Sequence, residues 1–182
     1  MCTYTFLNIF SFKQICLAQA QECILDKSIL DHRKSSIITK VGAQVVDFYR
    51  QAHKKIESSK ANLTSWPYEY IYDLTSFVKF KYSYYGSVSR FYMGIANEEE
   101  SKWGDSVAYF KKAYELLQSI ANPSQNSSEF LSKEQIKDTT IFAHDVIKGK
   151  YDIAVRENEF IYHEKVPTDL EELKGKLFLK SE

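Results

Sequence analysis

Turn-forming residues are scarce in this sequence of 182 residues, which has only six glycines and three prolines. Folds built from many short strands need such residues at their frequent turns, so the scarcity favours long helices. An excess of charge of either sign is also missing, because 24 Lys and Arg residues balance 24 Asp and Glu residues. Contacts to nucleic-acid phosphates need a cationic excess, so we expect no nucleic acid among the partners.

Cysteine is rare as well, with three residues at Cys2, Cys16 and Cys23 and no CxxC pair. Cys16 and Cys23 are seven residues apart on a predicted helix, which separates them by about 10 Å along its axis. That separation is too large for a disulfide bond. We therefore expect reduced, buried thiols in an intracellular protein.

The motifs of common catalytic sites are absent too. The sequence has no GxSxG, no HExxH, no Cys followed after five residues by Arg, and no glycine-rich loop for a phosphate. It therefore predicts no catalytic site, no metal site and no cofactor. Residues 1–12 are apolar, but they lack the basic start and cleavage site of a signal peptide and are too short to span a bilayer. We expect a cytoplasmic protein.

The spacing of apolar residues predicts five helices. The first covers about residues 12–30, the second covers about residues 33–58, and the third begins near Trp66-Pro67 and runs for roughly 45 Å. The second helix is apolar on more than one side, and its main row comprises Ile37, Val41, Val45, Phe48, Ala52 and Ile56. Neighbours must cover such a helix on several sides, which indicates a layered helical array.

The fourth and fifth predicted helices each start at a recognisable signal. Asp105, in the hinge Trp103-Gly104-Asp105, is predicted to cap the fourth helix, and Asn122-Pro123 ends it. Ser132 and Gln135 form a capping box at the start of the fifth helix. The chain is predicted to leave that helix at Val166-Pro167.

Residues 85–120 have the character of a helical hairpin. Gly94 and Ala96 lie late in one helix, and Ala108 and Ala113 lie in the next. Small residues at such positions let two antiparallel helices approach closely, as in tetratricopeptide repeats, although an ordinary hairpin stays the alternative. The predicted fold class is all-α, an array of long antiparallel helices with a tetratricopeptide-like helical hairpin.

Two further features of the third helix have structural explanations. Tyrosines recur between residues 68 and 92, and their helical spacing favours the core over a surface that stacks nucleic-acid bases. The acidic run Glu98-Glu99-Glu100 closes the helix, and we expect these carboxylates to be solvated.

Six short strings occur in an order and spacing typical of one domain family. They are LAQAQE at 17–22, LDKS at 25–28, IIxKVxAQ at 37–44, DFY at 47–49, DVIxGKY at 145–151 and NEFIYHE at 158–164. Together they resemble the Bro-one domain, and the tyrosine-phosphatase-like members of that family most. The likeness covers residues 15–182, which correspond to the C-terminal half of the domain, and residues 1–14 are predicted to be a start that does not match the family.

The resemblance implies a non-catalytic adaptor that binds the C-terminal amphipathic helix of an ESCRT-III subunit in endosomal sorting to multivesicular bodies. Such a protein is recruited to endosomes and associates with membranes indirectly, through ESCRT. The apolar binding patch of the family falls on Ile24, Ile37 and Val41, with Phe178 nearby. Ile37 and Val41 are one helical turn apart, which suits a helix-in-groove partner. The alternative is that these residues are simply core.

Two other interpretations stay open. The chain could be a fragment of a tyrosine-phosphatase-like enzyme, although it lacks the Cys-x5-Arg motif. It could also be a truncated isoform without function, in which apolar faces of the first two helices are exposed. The sequence leaves the oligomeric state open.

Tyr162 is a candidate phosphorylation site. It follows Glu159 and Ile161, a local pattern that tyrosine kinases accept, and it lies close to the predicted helix exit at Val166-Pro167. A phosphate there adds about −1.5 to −2 charge beside Glu159 and Glu164. We expect this modification to loosen the helix end; the alternative is a tyrosine whose ring packs while its hydroxyl is hydrogen-bonded.

Overall fold

The computed structural model describes residues 2–59, 68–122 and 128–176. These residues form five α-helices and no strand: α1 (Cys2–Leu30), α2 (Ser35–Ser59), α3 (Tyr68–Glu99), α4 (Trp103–Ile120) and α5 (Lys133–Glu157). Each helix packs against the next one in the chain, so that α2, α3 and α4 each contact two neighbours. The predicted all-α fold class is confirmed. None of the described helices is long and apolar enough to cross a lipid bilayer.

The first helix is longer than its sequence pattern predicted. It begins at Cys2 and not near residue 12. Residues 2–11 contain neither glycine nor proline, so nothing in them breaks the helix, although they lack the apolar stripe from which its start was predicted.

The N-terminus of α4 is capped by a distant residue. The helix begins at Trp103, which places Asp105 inside the first turn, so the prediction that Asp105 is the cap is wrong. Lys102 precedes the helix and makes no side-chain cap hydrogen bond. The Gly104 N–H donates instead to Glu164 Oε2, at 2.8 Å. A carboxylate at this position also stabilises the positive end of the helix dipole.

Both ends of α5 are well defined. The predicted capping box is confirmed: Ser132 Oγ accepts from the Gln135 N–H at 3.2 Å, and Gln135 Oε1 accepts from the Ser132 N–H at 2.9 Å. At the other end, α5 ends at Glu157, and the chain continues directly into one π-helical turn, Asn158–Tyr162. His163 then adopts a left-handed conformation with φ of 55°, which ends the helix before Val166-Pro167.

Helix α3 packs against two large apolar cores and against a smaller one formed by Val107, Phe110 and Ala154. The first lies between α1, α2 and α3, and its most enclosed members include Ala18, Leu25, Val41, Val45, Tyr49, Ala52 and Val78. The second lies between α3, α4 and α5 and is built around Phe80, Ala113, Leu117, Ile136 and Ile147. Phe77 and Tyr84 of α3 pack against both cores. The helix α3 therefore ties the two halves of the array together.

The predicted hairpin between α3 and α4 depends on a glycine. A Cβ atom placed on Gly94 would lie 2.5 Å from Cε1 of Phe110, a ring that is fully buried. A glycine at this position lets α4 approach α3 closely, as the small residues predicted.

Several side-chain predictions are settled by the packing. Tyr85 is buried, as predicted for this tyrosine-rich stretch, but Tyr68 and Tyr72 are exposed. Cys16 and Cys23 are also exposed, so the prediction of buried thiols is wrong for these two residues.

The acidic run that closes α3 is not uniformly solvated. Glu98 Oε2 lies 2.7 Å from Lys150 Nζ, and the Glu98 side chain is only 13% exposed, because α5 passes beside this end of α3. Glu99 Oε1 accepts a hydrogen bond from Ser35 Oγ at 2.6 Å, which connects the end of α3 to the start of α2. The prediction of solvated carboxylates is therefore wrong for Glu98.

The last described segment, residues 163–176, is called the tail here, and it crosses the array from the end of α5 back to α2. Near its far end Glu172 Oε1 accepts from Arg50 Nη1 at 2.5 Å. At the last described residue the Lys176 N–H donates to the Lys40 carbonyl at 3.1 Å. The tail therefore joins the last helix to the second one.

Candidate functional site

An open groove of about 560 Å³ runs along α1 and the start of α2. Its lining comprises Cys23, Ile24, Lys27, Ser28, Asp31, Arg33, Ile37 and Val41. Three of the four residues predicted to bind a partner, Ile24, Ile37 and Val41, thus lie along the same groove. We call it the α1–α2 groove.

The predicted residues occupy different depths in this groove. Val41 is 1% exposed and belongs to the first core, so it contributes the floor. Ile24 and Ile37 are half-buried and pack against that core from its edge. Val41 is therefore part of the core, whereas Ile24 and Ile37 keep part of their apolar surface accessible.

Charged residues line the rim of the α1–α2 groove, and the sequence interpretation did not include them. Asp31 Oδ2 lies 3.8 Å from Lys27 Nζ and 3.9 Å from Arg33 Nη2, and all three side chains are well exposed. Such pairs contribute little to stability, about 0–1 kcal/mol each. The four-residue spacing of Lys27 and Asp31 was a usable signal for this pair. The groove therefore combines an apolar floor with a charged rim.

A buried polar network fixes α1 on α2 and α3 close to the groove. Glu22 Oε1 accepts a hydrogen bond from the Tyr49 hydroxyl, and Glu22 Oε2 accepts from Lys81 Nζ at 3.1 Å. The rings of Tyr49 and Tyr85 are nearly parallel, with centroids 6.4 Å apart. Burial raises the pKa of both tyrosines, and the Glu22 carboxylate raises it further. Both hydroxyls therefore stay protonated and able to donate at neutral pH.

The walls of the α1–α2 groove are also secured locally. Ser28 is buried, and its hydroxyl donates to the Ile24 carbonyl at 2.7 Å. Thr39 is buried as well, and its hydroxyl donates to the Ser35 carbonyl at 2.9 Å in the first turns of α2. Both buried hydroxyls are therefore satisfied by hydrogen bonds within their own helices.

The fourth predicted binding residue, Phe178, lies outside the described residues. The tail reaches α2 just before this position, and its approach is tight: a Cβ atom on Gly175 would lie 2.7 Å from the Gln44 Cα. Burial raises the pKa of the Asp47 carboxyl beside it, an effect that Arg50 and a hydrogen bond from the Gly175 backbone oppose.

Tyr162 does not belong to the α1–α2 groove. Its ring stacks on the ring of Trp103, with centroids 3.8 Å apart and an angle of 4° between the planes. The residue is 36% exposed and ends the π-helical turn that leads into the tail. The stack connects this turn to the first residue of α4.

No cluster of His, Cys, Asp or Glu that could hold a metal ion occurs among residues 2–59, 68–122 and 128–176. The α1–α2 groove offers apolar side chains, exposed charges and the exposed thiol of Cys23.

The sequence is similar to a known domain over nearly its whole length. The profile of the BRO1-like domain matches residues 7–181. The chain is 39% identical over 172 residues to tyrosine-protein phosphatase non-receptor type 23 of Rattus norvegicus, a match that covers 91% of this chain and 11% of that protein. It is 30% identical over 166 residues to the pH-response regulator protein palA/RIM20 of Saccharomyces cerevisiae, covering 91% of this chain and 22% of that protein.

Solved structures share the fold. A structure described as "ALIX BRO1 CHMP4C complex" superposes with a TM-score of 0.75 at 24% identity, over 94% of this chain and 44% of that one. Another, described as "Structure basis for endosomal targeting by the Bro1 domain", gives a TM-score of 0.74 at 23% identity. The chain spans about a tenth of the length of the phosphatase relatives and less than half of these solved chains. With a profile match from residue 7 to residue 181, the chain belongs to the BRO1-like domain family.

Proposed function

We propose that this chain is a non-catalytic adaptor module that binds the C-terminal amphipathic helix of an ESCRT-III subunit in the α1–α2 groove. We expect Ile24 and Ile37 to contact this helix above the floor that Val41 forms, and Phe178 to contribute near the same patch. In this role the protein acts in endosomal sorting to multivesicular bodies. It is recruited to endosomes through its partners, without membrane insertion of its own.

The observation that carries this proposal is the shared groove. Three apolar residues on two helices, chosen from the sequence, line one open depression of about 560 Å³. Clefts of this size receive several side chains of a ligand. An amphipathic helix presents apolar residues at positions i, i+3, i+4 and i+7, and such a row fits an elongated apolar floor with charged edges.

The relatives support the same role. One solved neighbour is a complex of the ALIX BRO1 domain with CHMP4C, and another concerns endosomal targeting by a Bro1 domain. A relative in Neurospora crassa, 28% identical over 164 residues, is a vacuolar protein-sorting protein, bro-1. Vacuolar sorting and endosomal targeting are thus roles of two members of this group.

A titration tests the groove directly. The full chain is titrated with a labelled peptide of an ESCRT-III C-terminal helix, in parallel with Ile37→Asp. We expect the substitution to weaken binding at least about 30-fold, or about 2 kcal/mol, because it places a charge against the apolar face of the helix. Equal binding by both proteins would show that the helix does not use this groove.

The matched control places the same substitution outside the groove. Ile153 is an exposed isoleucine on α5, 43% accessible, and Ile153→Asp should bind the peptide like the wild type. Ile37 also packs against the first core, so circular dichroism must show that Ile37→Asp keeps its helices. A second variant, Ile24→Ser, tests the opposite wall of the groove with a smaller risk to folding.

Phosphatase activity is not part of the proposal. The match to the phosphatase relatives covers about a tenth of their length, and the sequence lacks the Cys-x5-Arg motif. We expect no turnover of a phosphotyrosine analogue by the full chain, and measurable turnover would contradict the non-catalytic assignment.

A further inference from the structure

A second depression, of about 310 Å³, lies between α2 and α3 and shares no lining residue with the α1–α2 groove. Its lining comprises Arg50, His53, Lys54, Lys79, Tyr82 and Ser83. Each of these side chains carries an N–H or O–H donor, and no carboxylate is among them. We call this depression the donor pocket.

The charge of the donor pocket is concentrated and partly unbalanced. Arg50, Lys54 and Lys79 carry three positive charges in a chain whose formal net charge is zero. Within the part of the chain that the structure describes, neither Lys54 nor Lys79 forms an ion pair. The pocket therefore presents cations from two different helices towards one space.

Two carboxylates already pair with Arg50 at the edge of this pocket, and one of them is Asp47, whose Oδ1 lies 3.6 Å from Arg50 Nη1. Glu172, on the tail, accepts from Arg50 at 2.5 Å, although the Glu172 side chain is 70% exposed. The guanidinium carbon of Arg50 lies 5.9 Å from the centre of the Tyr82 ring, so the ring stabilises the cation by a cation–π interaction. Of the two carboxylates at Arg50, the exposed Glu172 is the one that a stronger anion can replace.

We propose that the donor pocket binds a small organic ligand that carries more than one phosphate group, of the inositol-phosphate type. Phosphate oxygens accept charge-assisted hydrogen bonds from Arg and Lys, and an Arg fork suits their geometry. Arg50 and Lys54 on α2 and Lys79 on α3 can each pair with a different phosphate group of one inositol ring. The volume of about 310 Å³ lies in the range of small-molecule sites.

Calorimetric titration of the full chain with inositol 1,4,5-trisphosphate tests the pocket. We expect saturable binding that Lys54→Gln with Lys79→Gln weakens at least tenfold. The matched control, Lys111→Gln with Lys137→Gln, removes two exposed lysines from α4 and α5 and should bind within twofold of the wild type. Unphosphorylated inositol should not bind.

A third variant gives an effect of opposite sign. Glu172→Gln removes the more exposed of the two carboxylates that pair with Arg50, so the trisphosphate should bind several-fold more tightly. Failure of the wild type to bind it, or equal binding by the wild type and the Lys54/Lys79 variant, overturns the proposal. Binding of a phosphotyrosine peptide in place of the trisphosphate also overturns it.

Sedimentation with vesicles shows whether the ligand is a lipid headgroup or a soluble inositol phosphate. Vesicles of phosphatidylcholine with phosphatidylinositol 4,5-bisphosphate are compared with vesicles of phosphatidylcholine alone. Co-sedimentation that depends on Lys54 and Lys79 identifies a lipid headgroup as the ligand. Binding of the free trisphosphate without co-sedimentation identifies a soluble inositol phosphate.

Discussion

Gly94 and Gly149 both lie inside helices, but their surroundings differ. A Cβ atom on Gly94 would press against the buried ring of Phe110, whereas a Cβ atom on Gly149 would meet nothing within 4 Å. The first glycine is required by the close packing of α3 and α4. The second one lowers the stability of α5 without any packing benefit within the described chain, since glycine costs about 1 kcal/mol relative to alanine in a helix.

The same substitution should therefore have opposite effects at the two positions. Gly149→Ala should stabilise the protein by about 0.5–1 kcal/mol. Gly94→Ala should destabilise it by about 1 kcal/mol, because overpacking against Phe110 outweighs the gain in helix propensity. Urea unfolding followed by circular dichroism measures both. A stabilised Gly94→Ala variant would mean that Phe110 can move freely.

Tyr49 makes the fold sensitive to alkaline pH. Its folded pKa lies above the ordinary value of 10.0, so the protonated hydroxyl stabilises the fold fully below about pH 10. This stabilisation is lost as the pH rises towards the folded pKa, because only the unfolded chain ionises there. Tyr49→Phe should cost about 1.5–3 kcal/mol at pH 7, since a hydrogen bond to a charged group is lost.

The free energy of unfolding measured from pH 8 to pH 11 checks this expectation. The wild type should lose stability more steeply above pH 10 than Tyr49→Phe. Tyr68→Phe, at a site that is 78% exposed, serves as the control and should follow the wild-type curve. Parallel curves for the wild type and Tyr49→Phe would rule out a stabilising role of this hydroxyl.

At the level of single residues, the sequence predicted features that depend on near neighbours. The capping box of Ser132 and Gln135 was predicted correctly because both residues lie within one turn of the chain. The residue that caps α4 was not predicted, because Glu164 lies 60 residues after Gly104 in the sequence. The burial of Glu98 was missed for the same reason, since its partner Lys150 comes from a helix whose path no local pattern reveals.

At the level of secondary-structure elements, the tail was the least predictable. Five helices follow from apolar spacing, but an extended segment without periodicity carries no signal for its direction. Contacts with distant residues fix the tail, namely Glu164 at the start of α4 and Glu172 at Arg50. Of the predicted site, Ile24, Ile37 and Val41 line one groove, while the place of Phe178 stays a prediction.

Tyr162 anchors the start of the tail through its stack on Trp103. Phosphorylation of Tyr162 stays a prediction, and Tyr162→Glu imitates part of its charge. Loss of the stack and repulsion from Glu159 and Glu164 should increase hydrogen exchange across residues 160–176. Tyr162→Phe keeps the ring and should exchange like the wild type. Unchanged protection in Tyr162→Glu would identify the residue as a packing element only.

Gly175 anchors the other end of the tail. A Cβ atom there would lie 2.7 Å from the Gln44 Cα and 2.8 Å from the Gln44 backbone N, atoms that cannot move without distorting α2. Gly175→Ala should therefore release the end of the tail while the five helices keep their stability. Hydrogen exchange should accelerate at Lys176, with an unchanged urea midpoint; slow exchange at Lys176 would show that the tail tolerates a side chain here.

At the scale of the whole molecule, α3 decides whether the array unfolds in one step. Phe77 and Tyr84 belong to the packing of both cores, so loss of one core removes contacts from the other. This arrangement argues against the interpretation of the chain as a truncated product without a stable fold.

We therefore expect a single cooperative thermal transition, with the same midpoint by circular dichroism and by aromatic fluorescence. Ile147→Ala, in the second core, should cost about 2–5 kcal/mol and lower the melting temperature of the first core equally. Size-exclusion chromatography should give a discrete peak without aggregate. Two separate transitions, or aggregation at room temperature, would favour the truncated-product interpretation.

The ion pair between Arg50 and Glu172 joins residues 122 positions apart in the sequence. Closing so large a loop carries a high entropic cost in an unfolded chain, whereas each helix pair closes a much shorter one. We therefore expect the helices to assemble first and the tail to dock late in refolding. Since the tail docks beside the donor pocket, we expect a stage in which Arg50 already lies near Asp47 of its own helix but still lacks Glu172.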